Sequence, residues 1–176
     1  RLIRAARGRV AHRVVIPSAP MSTEPVALSG AEDPFRLSDE VVEAMAELRP
    51  VTATFWGVAG RDDAWDDLSP EGHERVRARL AHLNTRVPSA QAASTERWAR
   101  LASDVLADVL RLELERYAHG DHLGDLNSIA SSFQYVRMVF DVMDASTERG
   151  WRARVTRLET LAQVLDGYRR SLELGL

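Results

Sequence analysis

"VTATFWGVAG", residues 51–60, decides the fold class. Its Val, Thr, Phe and Trp favour extended backbone, and no other run in the chain reads as strand. A lone strand would leave its amides and carbonyls without partners. The segment is therefore read as a short helical or irregular buried piece, and the chain as all-α.

Upstream, "FRLSDEVVEAMAELRP" (35–50) reads as a helix. Ser38 is placed to cap it, Asp39 and Glu40 suit its positive first turn, Leu37 can staple onto Val42, and Pro50 ends it. Downstream, "RDDAWDDLSPEGHERV" (61–76) is an acidic loop running into a helix. Ser69 at the cap, Pro70 at the first position and Glu71 next give a strong start signal. Val76, Leu80, Leu83 and Val87 follow at helical spacing, and Pro88 is expected to stop them.

A further helix begins near Thr95. Trp98, Leu101, Val105, Val109 and Leu112 form a continuous apolar stripe, and Gly120 supplies the left-handed end. "SSFQYVRMVFDVM" (131–143) reads as a short, largely buried helix. The last helix starts at Ser146 or Thr147, with a stripe from Trp151 through Val155, Leu158, Leu161, Leu165 and Tyr168 to Leu172. The expectation is a multi-helix bundle of about five main helices, each burying its stripe against another. The last stripe still runs near Leu176, as in a bundle truncated at its C-terminus.

The chain has 176 residues, 45% apolar and 28% charged, which suits one globular domain. No apolar run is long enough for a membrane span, and no secretory apolar core follows the basic start, so a cytoplasmic location is favoured. Without cysteine there is no disulfide, zinc ribbon or thiol nucleophile. All 23 basic residues are arginine. Residues 1–20 hold five arginines and no acid, whereas the remainder sets 18 arginines against 26 acids, a net −8. An acidic body does not suit nucleic acid. Residues 1–34 are therefore set apart as a disordered or non-native basic arm and lead-in, with Met21 as the expected start, before a helical region over 35–176.

Motifs for chemistry are sparse. "HERVR" (73–77) has Arg77 where a zinc-peptidase helix needs its second histidine, so His73 and Glu74 are read as serving the solvent face at a helix start. His119 and His122 flank Gly120, whose helix-ending geometry points the two rings apart, and no third ligand accompanies them. Asp62, Asp63, Asp66 and Asp67 lack the spacing of a calcium loop. No nucleophile elbow or phosphate loop is present. That leaves "LNSIASSFQYVR" (126–137), where Asn127, Gln134 and Arg137 stand among apolar residues. Asn127 can cap a turn, and Gln134 and Arg137 share a helix face. They are the candidate substrate-binding residues, with Arg137 able to hold a ligand carboxylate. No catalytic or metal-binding residue is assigned.

Five stretches together resemble the bacterial domain of unknown function 885 family. They are "LRPVTATFWGVAGRDDAWDDLSPEG" (48–72), "LRLELER" (110–116), "LNSIASSFQYVRMVFDVM" (126–143), "STERGWRARVTRL" (146–158) and "LDGYRRSLELG" (165–175). The resemblance implies a helical zinc metallopeptidase whose metal motif, of the form HEAxPGHH, lies beyond this chain. It implies zinc for the full-length protein, the remainder of the same polypeptide as the partner of these helices, and a peptide substrate. These residues would then be scaffold and cleft wall of a hydrolase, inactive alone. The alternative is a self-sufficient helical protein-interaction module.

Overall fold

A computed structural model describes residues 32–176. The expected basic arm and the start at Met21 lie outside these residues. The described chain is helical throughout. It contains α1 (Pro34–Leu48), α2 (Pro50–Trp56), α3 (Pro70–Asn84), α4 (Val87–Ala93), α5 (Arg97–His119), a 3₁₀ turn (Asp121–Leu123), α6 (Ser132–Val142) and α7 (Glu148–Leu174). Five of these run 11 residues or more, and α2 and α4 have seven each.

The β-like run is α2. Pro50 stands at its first position, where its missing N–H leaves nothing unpaired and its fixed φ suits a helix. The next amide, of Val51, donates to Asp66 Oδ1 at 2.7 Å. Pro50 thus opens a helix one residue after α1 closes. The first helix begins earlier than Ser38 suggests: Asp33 caps it, accepting from the Phe35 amide at 3.0 Å, and Pro34 follows. Ser38 lies inside it and donates to the Pro34 carbonyl. Ser69 caps α3 through the Gly72 amide and Thr147 caps α7 through the Gly150 amide, each at 3.1 Å. Pro88 does not stop α3, which ends at Asn84; it sits in the first turn of α4. Gly120 closes α5 at φ 78°, a conformation that costs any residue with a Cβ.

Two packed regions result. Leu37, Val41 and Met45 of α1 meet Val76, Leu80 and Leu83 of α3, Ala90 of α4, and Leu106 and Leu110 of α5. Val51 of α2 packs with Val139, Met143 and Ala153, while Leu68, Val136 and Tyr168 close the other end of α6 and α7. Gly167 permits α7 to approach the loop before α3; a Cβ there would sit 3.2 Å from the Ser69 amide nitrogen.

The expected burial of the long stripes is corrected. Trp98, Leu101, Val105, Val109 and Leu112 are 47–67% exposed, as are Trp151, Val155 and Leu158 at 49–58%. On α5 the buried face is Ser103, Leu106 and Leu110; on α7 it includes Gly150, Ala153, Arg157, Gly167, Tyr168 and Ser171. Periodicity marks a face able to be buried, and each long helix carries two such faces. Its neighbours among the described residues occupy the face on which small residues stand among the large ones, Ser103 beside Leu106 and Leu110 on α5, and Gly150, Ala153, Gly167 and Ser171 beside Arg157 and Tyr168 on α7.

Candidate functional site: a two-part cleft

The cleft begins with a loop held by one arginine. Arg157 of α7 is fully buried, with 0% exposure. Its Nε donates to the Ala64 carbonyl at 2.9 Å, and its Nη2 to Thr54 Oγ1 at 2.9 Å and the carbonyls of Arg61 and Pro50 at 3.2 and 3.3 Å. The Trp65 indole N–H returns to the Arg157 carbonyl at 2.8 Å, and the guanidinium lies 5.2 Å from the indole ring. These bonds fix the 61–67 loop against α2 and α7 and place Asp66 beneath the α2 N-terminus. Burial pushes the Asp66 carboxyl up to about 6, while the Val51 amide, Arg49 and Arg157 oppose that rise.

Asp66 lies at the seam of two concavities. One, of about 300 Å³, is walled by Phe55 and Trp56 of α2, Trp65, Tyr135 and Val136 of α6, and Val164 of α7. The other, of about 390 Å³, is polar and includes Arg49, His73, Glu113, Tyr117, His122 and Asp125. Thr52, Asp66, Leu68, Ser132 and Tyr135 line both, so they form one continuous cleft.

The polar half is internally braced. Arg49 donates to Glu113 at 2.9 Å and to the Tyr117 hydroxyl at 3.0 Å. Asp125 accepts from the Ser132 amide and hydroxyl at 2.9 and 2.7 Å, capping α6, and from the Tyr168 hydroxyl. Burial and the neighbouring carboxylate hold the Tyr168 hydroxyl above its usual range. His122 turns toward His73, not His119: the rings of His73 and His122 are 4.7 Å apart, with Tyr117 5.0 Å from His122. His119 is exposed. His73 therefore faces the cleft and not solvent, correcting the reading of "HERVR", while Glu74 pairs with Arg77 at 2.6 Å. Burial, with His122 and Arg49 nearby, takes the His73 imidazole down to about 4, and burial also lowers His122. Both rings are neutral near pH 7. Among the described residues, His73 Nε2 and His122 Nδ1 are buried without a hydrogen-bond partner.

The three residues singled out in the sequence stand outside this lining. Asn127 folds the loop before α6, its Oδ1 accepting from the Ile129 and Ala130 amides at 2.9 and 2.8 Å and its Nδ2 donating to the Asp125 carbonyl at 3.0 Å. Gln134 is half-buried and donates to the Ser128 carbonyl at 3.3 Å. Arg137 is exposed on α6. Sequence reading missed Asp66, His73 and Tyr135. For Tyr135 a signal existed: Ser132, Tyr135, Val136 and Val139 share the inward face, whereas the polarity of Gln134 and Arg137 drew attention to the other.

Among the described residues, no group of three or more His, Asp or Glu side chains is placed to hold a metal ion. The zinc that the resemblance implies for the full-length protein is expected on residues beyond this chain. No described helix is long and apolar enough to cross a membrane.

The described residues thus form an all-α body with a cleft of mixed polarity. The chain belongs to the family described as bacterial protein of unknown function (DUF885), whose model matches residues 50–176. The match spans α2 to α7 and hence most of the cleft wall. No curated protein matches the chain.

Proposed function

We propose that this chain forms the N-terminal, substrate-holding wall of a metal-dependent peptidase whose metal motif lies beyond it. The observation that carries this reading is the continuity of the aromatic pocket with the polar half across Thr52, Asp66 and Tyr135. A peptide presents that alternation: an apolar side chain for the pocket, and backbone amides and carbonyls for Asp66, Ser132 and the histidine pair. Asn127 acts by shaping the loop that carries Ser132 and Tyr135 inward, and Gln134 and Arg137 form the outer rim toward the longer substrate. The zinc and the bond-breaking step come from the remainder of the polypeptide.

The exposed apolar face favours a second reading, in which the chain is a protein-interaction module. Phe35 and Val42 of α1 and Trp98, Leu101, Val105 and Val109 of α5 line an open apolar groove of about 630 Å³. Further helices of the same polypeptide, or another protein, would cover it.

The two readings separate on titration of the chain with a leucyl tripeptide amide, read by tryptophan emission. The cleft reading expects saturable binding without cleavage, weakened about tenfold or more by Tyr135→Arg, which replaces a ring shared by both halves of the cleft with a flexible cation, and unaffected by Leu101→Gln. Binding indifferent to Tyr135→Arg would remove the cleft reading. Peptide hydrolysis by this chain alone would remove the assignment of catalysis to the remainder.

A further inference from the structure

We infer that the aromatic half of the cleft, with Asp66 at its floor, is a binding site for an organic ammonium group. The inference rests on the cleft being a ligand site and names the chemistry of the group that enters it.

Three observations converge. First, the walls are aromatic and open: Phe55, Trp56 and Tyr135 are 36%, 53% and 43% exposed on a concave surface. The Phe55 and Tyr135 rings meet edge to face at 5.8 Å and 78°, which gives the corner a defined shape. Secondly, the indole N–H of Trp65 is taken by the Arg157 carbonyl, so its polar edge is already satisfied. Thirdly, the one acid in this lining is Asp66. Its Oδ1 accepts from the Val51 amide, and among the described residues its Oδ2 has no donor.

Aromatic faces attract cations through their quadrupoles, and a carboxylate beside them supplies the counter-charge. An anionic ligand would meet Asp66. A neutral apolar ligand would bury the carboxylate without a partner. An ammonium group satisfies both surfaces. Arg49 and Arg157 are the cations that act on Asp66, and they compete with an incoming ammonium group for its carboxylate. His73, Asp67 and Tyr135 complete the polar surroundings along the cleft. Because burial raises the Asp66 carboxyl to about 6, the affinity for a cation falls as pH drops through that range.

Titration calorimetry with choline and its neutral carbon isostere, 3,3-dimethylbutan-1-ol, tests the charge directly. Choline is expected to bind about tenfold or more tightly than the isostere, with Trp56→Leu and Asp66→Asn each removing most of that preference. Asparagine keeps an oxygen for the Val51 amide, and Trp56 is half-exposed, so a circular-dichroism melt can verify that both variants fold. The leucyl tripeptide amide with a free and with an acetylated amino terminus, and acetyl-lysine amide, then identify the source. Preference for the free terminus assigns the site to the start of a peptide chain; preference for the lysine derivative assigns it to a side chain.

Equal affinity for choline and its isostere, or a choline affinity untouched by both substitutions, overturns the inference. A peptide that binds equally well when acetylated leaves the cleft as a peptide site but removes the ammonium. Choline bound without any peptide does the reverse.

Discussion

Arg157 illustrates what a single side chain does here. It buries a guanidinium whose Nε and Nη2 donate to the loop carbonyls of Ala64 and Arg61 and to the Pro50 carbonyl of α2, while Nη1 has no partner among the described residues. Removing the guanidinium leaves buried carbonyls unpaired, at about 1–3 kcal/mol for each group that finds no other partner. Arg157→Met should therefore lose about that much in urea unfolding, whereas Arg152→Ala, which breaks an exposed pair with Glu148, should change stability by less than about 1 kcal/mol. Equal stability of Arg157→Met and the wild type would refute the strut. Nothing in "STERGWRARVTRL" separates Arg157 from its exposed neighbours, since its burial depends on distant chain. Ser69–Pro70, by contrast, is legible because a cap is a local event.

Two titrations belong to the same scale and have opposite signs. Asp66 is raised in the folded chain from an ordinary value of 3.8 to about 6, so its contribution is fully present below about pH 4 and is lost as pH rises through 6. His73 is lowered from 6.5 to about 4, so its contribution is present above 6.5 and is lost as pH falls toward 4. Thermal midpoints between pH 4 and 6.5 should thus rise more steeply with pH in Asp66→Asn than in the wild type, and less steeply in His73→Gln. Identical slopes in all three proteins would contradict the burial of both groups.

At the scale of elements, α5 separates apolar pattern from burial. Its most regular stripe is exposed, and its core face is carried by Leu106, Leu110 and the fully buried Ser103. Leu110→Ala should cost about 2–5 kcal/mol in denaturant unfolding. Trp98→Gln, on the exposed stripe, should stay within about 0.5 kcal/mol. A reversed order would mean that the stripe is packed in solution. The five long helices, the cap at Ser69 and the stop at Gly120 were readable, because each depends on a few adjacent residues; α4 was not, and the sequence leaves the start of the last helix open between Ser146 and Thr147. Which of two apolar faces is buried was not readable, because that choice depends on packing against helices distant in sequence. The Asp33–Pro34 start was overlooked for a nearer alternative, Ser38, which has the right chemistry at the wrong position.

Across the whole molecule, the two packed regions meet at a cleft that none of the quoted motifs announces. Its polar half joins residues from α1, α3, α5, the 3₁₀ turn and the loop before α6, and its aromatic half joins α2, α6 and α7. Sequence inspection singled out 126–137, which supplies Ala130, Ser132, Tyr135 and Val136 to the lining. It favoured polar side chains by identity, whereas the lining is set by helix face. The family match over 50–176 covers the same elements.

Hydrogen–deuterium exchange of the chain with and without the free-amine leucyl tripeptide amide is the most direct measurement of where a ligand sits. The account predicts slower exchange in α2, the 61–67 loop and the first turns of α6. Slowing confined to the exposed face of α1 and α5, or no change anywhere at saturating peptide, would contradict it.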